Sequence, residues 1–253
     1  YLSYDEPNAE EHWVIINSII PWAKRVHGVK GIDAAHKAAA SNSDTERFIL
    51  IDGDNIPDEN FFNQQLRITE VNENCVFRWK SRNIINGLAY GNGGISCWTK
   101  KFIRDMQTHE QAEDERDTVD FCWRDNYLAM HDVWSTTYPN ASPLQAWRAG
   151  FREGAKLSMV RGKQPDLSNF EKEISSVNFN RLKRWMTIGA DIENGTFAKY
   201  GAMHGMFMYL DYDTEFDMQW LTDMESLTDL FNNVQVGDIS WKIENLIGLK
   251  IPL

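Results

Sequence analysis

The sequence is poor in cysteine and has no long hydrophobic run. Its three cysteines, Cys75, Cys97 and Cys122, are far apart and form no Cys-x-x-Cys pair, so neither a disulfide framework nor a zinc cluster is expected. No apolar run reaches the length that crosses a bilayer, and no signal-peptide pattern opens the chain. We therefore expect a protein of a reducing, intracellular compartment, without a membrane partner.

Positive charge is also scarce. The chain has 26 Lys and Arg against 37 Asp and Glu, a net charge of −11, which argues against indiscriminate binding to nucleic acid. Any polyanion must meet a local basic patch. The phosphate-binding patterns Gly-x-Gly-x-x-Gly and Gly-x-x-x-x-Gly-Lys-Ser/Thr are absent, which disfavours an NAD enzyme and a conventional NTPase.

What the chain does contain is an alternation of strand and helix patterns. The predicted strands and helices of the first hundred residues are strands at 1–4, 24–27, 47–52, 76–80 and 95–98 and helices at 9–20 and 32–40. Such alternation predicts an α/β fold with a mainly parallel sheet covered by helices. In these sheets ligands bind beyond the carboxyl ends of the strands.

The second half of the chain is richer in helix patterns. A helix is predicted at 143–159, with Pro143 at its start. Beyond Gly162 the sequence becomes mainly helical, so we expect one catalytic α/β domain over 1–162 and a helical extension over 163–253 that completes the site.

The most informative motif is Asp52-Gly53-Asp54, directly after the apolar run at 48–51. Residues two apart in an extended backbone project from one face, so the two carboxylates lie side by side. Carboxylate oxygens suit Mg²⁺ or Mn²⁺, whose other positions are filled by substrate phosphates and water. The alternative is a solvated acidic turn. A calcium loop is excluded, because its fifth, sixth and twelfth positions lack the required residues.

Four segments together resemble a known family. They are VHGVKGI at 26–32, AHKAA at 35–39, FILIDGDN at 48–55 and SPLQAWRAGFREG at 142–154. They look like the TET-associated glycosyltransferases, a family found largely in phages and akin to the base J glucosyltransferase. The resemblance covers about residues 1–205. It implies a GT-A-type, Rossmann-like nucleotide-sugar-binding domain with a mixed, mostly parallel sheet.

The resemblance also implies roles for residues at matching positions. It implies that Tyr4 and Asp5 contact the uracil and that Lys30 and His36 contact the nucleotide. It implies that Asp52 and Asp54 contact the ribose, the metal and the diphosphate. The implied reaction moves a sugar from a UDP-sugar to a hydroxymethylated pyrimidine in DNA, in the cytoplasm of an infected bacterium if the gene belongs to a phage. Glucose and 5-hydroxymethylcytosine are the expected sugar and acceptor.

Three further residues are candidates for the chemistry. Asp120 is the favoured acceptor base, because an inverting transfer needs a carboxylate to take the proton of the acceptor hydroxyl. Its alternative role is a helix cap. His131 and His204 are alternative third metal ligands, although a lone histidine is commonly structural. His204 is preferred, because residues 200–205 are predicted to form a tight turn that closes over the donor.

A basic stripe is the candidate DNA contact. Arg148, Arg152 and Lys156 recur every four residues and therefore share one face of the predicted helix. In an acidic protein such a stripe is suited to phosphate contact, and salt bridging with neighbours such as Glu153 is the alternative.

The sequence therefore predicts a metal-dependent glycosyltransferase that uses a UDP-sugar and acts on hydroxymethylated DNA. A glycosyltransferase with a glycan or protein acceptor, a sugar-phosphate nucleotidyltransferase, and an inactive module that binds nucleotide-sugar or DNA are the alternatives. The intact pair Asp52 and Asp54 counts against the inactive module.

Overall fold

The structure is a computed structural model that describes residues 1–90, 94–106, 108 and 126–252. These residues belong to two compact units. The first contains the described residues up to Tyr138, and the second begins at Pro139. The division lies earlier in the chain than the predicted boundary at Gly162, because the helix predicted at 143–159 packs with the later helices.

The first unit contains the predicted alternation of strands and helices. Its strands are β1 (Leu2–Ser3), β2 (Val26–His27), β3 (Arg47–Ile51), β4 (Asn55–Pro57), β5 (Val76–Asn83), β6 (Ile95–Thr99) and β7 (Tyr127–Thr137). Its helices are α1 (Ala9–Ile19), α2 (Ile32–Asn42) and α3 (Lys100–Asp105), with a 3₁₀ turn at Glu59–Asn63. The predicted elements are therefore present, with ends that differ by a few residues. The mixed α/β class is confirmed.

The pairing of the strands differs from the prediction. Strands β1 and β2 form a parallel pair, and the main sheet has the order β3-β6-β5-β7-β4. Only the β5–β7 pairing in that sheet is parallel, and the other three pairings are antiparallel. The prediction of a mainly parallel sheet is therefore wrong. Residues 84–94 are too few for a helical crossover, so β6 returns antiparallel to β5.

The main sheet curls into a nearly closed barrel. Strands β3 and β4 are the two edge strands of the sheet, yet only residues 52–54 separate them along the chain. This short connection brings the two edges together at the Asp-Gly-Asp motif. A single parallel bridge from Leu2 to Asp52 also joins β1 to the end of β3.

Successive side chains along each strand point to opposite faces of the sheet, and helices cover both faces. Ile51, Phe77 and Cys97 point to the cluster that contains Ile16 of α1. Their neighbours along the strands, Leu50, Val76 and Trp98, point to the opposite cluster, which contains residues of α2 and α3.

The second unit is helical, as predicted. Its helices are α4 (Pro143–Leu157), α5 (Phe170–Glu173), α6 (Ser176–Thr187), α7 (Gly195–Leu210), α8 (Met224–Asn233) and α9 (Ser240–Ile247). Helix α4 begins at Pro143, and the Ser142 hydroxyl caps it by accepting a bond from Gln145 N. Among the described residues, no helix has the length and apolarity needed to cross a membrane.

Helices α4 and α7 pack backbone against backbone. A β-carbon added to Gly150 would lie 1.9 Å from the Ala198 carbonyl oxygen, and one added to Gly201 would lie 2.1 Å from the Trp147 carbonyl oxygen. Only glycine permits such an approach. The predicted tight turn at 200–205 is therefore wrong, because its glycines are the contact surface of a continuous helix.

Candidate functional site

The acidic motif forms the turn that joins the two edges of the main sheet. At its first end, Asp52 N donates to the Gly94 carbonyl next to β6, at 2.8 Å. At its other end, Tyr138 N, directly after β7, donates to the Asp54 carbonyl at 2.7 Å. We call residues 52–54 the acidic turn. The backbone of the turn is held at both ends by these hydrogen bonds, so the sheet sets where the side chains of Asp52 and Asp54 begin.

A buried network also fixes the middle of the acidic turn. The Gly53 carbonyl accepts from the Tyr1 hydroxyl at 2.7 Å and lies 3.0 Å from His12 Nδ1. Burial lowers the pKa of His12 and keeps its ring neutral. The neutral ring donates from Nδ1 to Gly53, and its Nε2 accepts from Asn8 Nδ2 at 3.2 Å. Asn8 also donates to the Tyr138 carbonyl, so the start of α1 is tied to the middle of the turn and, through Tyr138, to its second end.

The environment of the Asp52 carboxyl group disfavours its negative charge. The residue keeps some solvent contact, but its carboxyl group is enclosed. Burial, and then the negative charge of Asp54, raise the pKa of Asp52 to about 7, and the positive charge of Arg78 offsets only part of this effect. A cation near Asp52 would offset both the burial of its carboxylate and the negative charge of Asp54.

The donor set fits a hard divalent cation through two protein ligands. Asp52 and Asp54 supply the carboxylates, and Mg²⁺ or Mn²⁺ takes its remaining ligands from phosphates and water. Within the described ranges, no group of three or more His, Cys, Asp or Glu side chains is arranged to hold a metal. Glu6 is nevertheless near, since a β-carbon on Gly53 would lie 2.7 Å from its carboxyl group. Glu6 is thus a third carboxyl group near the acidic turn.

The residues predicted for the nucleotide follow neighbouring strands. Tyr4 and Asp5 come directly after β1 and are exposed, and β1 bridges to Asp52. Lys30 is exposed in the turn after β2, between Gly28 and Gly31, whose φ angles are +73° and +92°. The structure thus brings Tyr4, Asp5 and Lys30 to the carboxyl ends of strands adjacent to the acidic turn.

His36 lies in a different environment. It is buried in α2, its Nδ1 lies 2.8 Å from the Ile32 carbonyl, and its ring packs edge-on against Trp98 at 5.1 Å. These contacts are those of a core residue that attaches α2 to the sheet. A role for His36 at the nucleotide stays a prediction that these contacts do not support.

The two histidines predicted as metal ligands lie in regular elements. His204 is buried inside α7, its Nε2 lies 3.2 Å from the Gly237 carbonyl, and it contacts Trp147 edge-on. Burial lowers its pKa. His131 is exposed in β7, where the pairing with β5 is irregular. The structure groups neither histidine with the acidic turn in a metal cluster among the residues it describes.

The predicted basic stripe lies on α4, but it is not an exposed face. Arg148 is buried, with 8 % of its surface exposed, and Arg152 and Lys156 are half-buried. Arg152 Nε donates to the Leu221 carbonyl at 2.6 Å. This environment favours the alternative in which the stripe binds neighbouring parts of its own unit.

Asp120, the predicted base, lies outside the described residues.

Sequence reasoning missed Glu6, His12 and Asn55, which surround the acidic turn. Asn55 Nδ2 donates to Asp54 Oδ1 at 2.7 Å. The only signal for Asn55 in the sequence is its position next to the motif.

Comparisons of the chain with protein-family models, with curated proteins and with solved structures found no match.

Proposed function

We propose that the protein is a metal-dependent glycosyltransferase that moves a sugar, glucose in our expectation, from a UDP-sugar to 5-hydroxymethylcytosine in DNA. The observation that carries the proposal is the acidic turn: two neighbouring carboxylates, one of them enclosed, lie where the ends of β1, β2 and β3 meet. This placement supports a GT-A-type domain with Mn²⁺ or Mg²⁺ at Asp52 and Asp54.

The donor would be recognised by groups on both sides of the turn. Tyr4 is exposed and supplies an aromatic face for the uracil, with Asp5 beside it, and Lys30 supplies a positive charge for phosphate. When bound, the cation supplies Lewis-acid stabilisation of the departing diphosphate. The protein's own part is to hold Asp52 and Asp54 in fixed directions through the network at Gly53 and Tyr138.

The acceptor rests on the resemblance of the four sequence segments to the DNA-modifying family. In this proposal Asp120 takes the proton from the hydroxymethyl group as the sugar is transferred. The sugar's anomeric carbon forms its new bond to the acceptor oxygen, and its bond to the UDP oxygen breaks. Inversion at that carbon is the expected outcome.

Two observations favour a second candidate, a glycosyltransferase with a glycan or protein acceptor. Arg148 of the predicted DNA contact is buried, and the chain carries a net charge of −11. Both facts disfavour a surface that attracts DNA phosphates. The acidic turn and the donor half of the proposal are the same for this candidate.

The deciding experiment is an acceptor assay. The protein is incubated with a panel of UDP-sugars, Mn²⁺ and either plain or 5-hydroxymethylcytosine-containing DNA, and the nucleosides are analysed by mass spectrometry. A hexose-sized mass increase on hydroxymethylcytosine alone is the expected result. Hydrolysis of a UDP-sugar without DNA modification would support the second candidate. No turnover of any donor, with or without DNA, would overturn both.

A further inference from the structure

Asn55 is the residue next to the acidic turn whose contacts are most completely defined. It opens β4 directly after Asp54 and is buried, with 2 % of its surface exposed. Its Nδ2 donates to Asp54 Oδ1 at 2.7 Å. A carboxylate only accepts hydrogen bonds, so the nitrogen of the amide, and not its oxygen, must face Asp54.

The other end of the amide lies among hydroxyl groups. Asn55 Oδ1 is 2.9 Å from Ser81 Oγ, 3.1 Å from Ser135 Oγ and 3.0 Å from Thr137 Oγ1. We call Ser81, Ser135 and Thr137 the hydroxyl cage. The hydroxyls of Ser81 and Thr137 are also 2.6 Å apart. The three hydroxyls carry one proton each. One of these protons forms the bond between Ser81 and Thr137, and the other two are donated to Asn55 Oδ1, which has two lone pairs.

The cage is a product of strand register. Ser135 and Thr137 are two residues apart in β7 and so share one face of the sheet. Ser81 pairs with Ser135 across β5 and β7, and Asn55 pairs with Thr137 across β4 and β7. Three strands thus converge on one amide, and the amide group cannot rotate without losing bonds at both ends.

Gly94 closes the remaining side. A β-carbon on Gly94 would lie 2.0 Å from both Cγ and Nδ2 of Asn55, so the amide occupies the space that a side chain at this position would need. The same glycine accepts the bond from Asp52 N. The position of Asn55 is therefore defined by hydrogen bonds on one side and by the backbone on another.

We propose that Asn55 is a positioning residue that holds the Asp54 carboxylate in the orientation in which it binds the divalent cation. The bond to Oδ1 fixes the rotation of the carboxylate and directs the lone pairs that remain, and hydrogen-bonded partners of metal ligands commonly set metal affinity in this way. The inference rests on the proposed function, since it assigns a role within the proposed metal site. Asn55 itself need not touch the cation.

The test measures Mn²⁺ binding directly, by monitoring the paramagnetic resonance signal of free Mn²⁺. Thermal unfolding is measured on the same samples. Asn55→Ala should weaken Mn²⁺ binding by about tenfold or more, as is typical for loss of a ligand's hydrogen-bond partner. Gly94→Ala should do the same by a second route, because it displaces the amide while leaving every hydrogen-bonding group of the cage present.

Two controls separate positioning from general loss of stability. Ser96→Ala removes a buried hydroxyl of the same sheet, the acceptor of the Trp98 indole at 2.6 Å, and should lower thermal stability while leaving Mn²⁺ affinity within about twofold. Gly237→Ala adds a methyl group into open space and should change neither measurement.

The outcomes are distinguishable. If the wild type binds Mn²⁺ and a folded Asn55→Ala binds it equally well, the role of Asn55 is overturned and the proposed function stands. If Asn55→Ala does not fold, Gly94→Ala decides: wild-type affinity in that variant overturns the inference. If the wild type binds no Mn²⁺, the metal-dependent function is overturned together with the inference.

Discussion

Asp54 lies at the end of a turn that is held from both edges of the sheet, so its carboxylate can be removed without removing the turn. We expect Asp54→Ala to abolish sugar transfer and Asp52→Ala to be nearly as severe, because the diphosphate would lose its counter-charge. Both variants should retain the circular dichroism spectrum of the wild type. Asp44→Ala, which changes an exposed carboxylate of the same unit, is the control and should keep full activity. Full turnover by Asp54→Ala, or turnover in excess chelator, would contradict the metal-dependent mechanism.

The raised pKa of Asp52 predicts a pH-dependent stability of the metal-free protein. The unfolded carboxyl group titrates near 3.8 and the folded one near 7, so between these values the folded state retains an extra proton. Stability is therefore lost as the pH rises through this window, and the loss is complete above pH 7. We expect Asp52→Asn to raise the free energy of unfolding at pH 8 by on the order of 2 kcal/mol, after allowing for solvent screening.

The measurement is urea unfolding of the wild type and of Asp52→Asn at several pH values in chelator. The difference between the two proteins should be small near pH 4 and grow to a plateau above pH 7. A difference that is independent of pH would show that folding does not raise the pKa of Asp52.

The sequence pointed to the two acidic residues of the candidate site but not to the residues that hold them in place. Asp52 and Asp54 were recognisable because an apolar strand pattern ends directly before them. Asn55 was not, because its cage partners lie 26, 80 and 82 residues away along the chain. Such contacts depend on strand register, which a single sequence does not define.

At the scale of elements, the contact between α4 and α7 is sensitive to substitution of its glycines. We expect Gly150→Ala to lower the free energy of unfolding by about 3 kcal/mol or more, because the added methyl group would lie 1.9 Å from a carbonyl oxygen and must push the helices apart. Urea unfolding measures this loss. Gly237→Ala is the matched control, since nothing lies within 4 Å of its added β-carbon. Equal stability of the two variants would mean that the helices are not in close contact.

The same helices show why part of the fold could not be predicted. Residues 200–205 were predicted as a turn because they contain two glycines, which in isolation favour turns. In the structure Gly201 and Gly205 face the backbone of α4, so the glycines serve packing. The prediction of a mainly parallel sheet was also wrong, because the alternation of strands and helices predicts which elements form, but not that β6 lies antiparallel between β3 and β5.

At the scale of the whole molecule, the question is how a chain with a net charge of −11 would hold DNA. Binding driven by phosphate contacts releases counterions, so the slope of log affinity against log salt counts the phosphates that basic residues neutralise. Arg148 is buried, and Arg152 donates to a carbonyl of its own unit, so neither has the environment of a phosphate contact.

We therefore expect the double variant Arg148→Gln/Arg152→Gln to lose thermal stability, because the packing of the buried Arg148 side chain and the bond from Arg152 to the Leu221 carbonyl are lost, and to keep the wild-type salt slope of DNA binding. Wild type and variant would be titrated against one hydroxymethylated duplex at several salt concentrations, with thermal unfolding measured in parallel. Lys172→Gln, which changes an exposed lysine of the same unit, should leave stability unchanged. A flatter slope in the double variant, without loss of stability, would instead place α4 against the DNA backbone, as the sequence predicted.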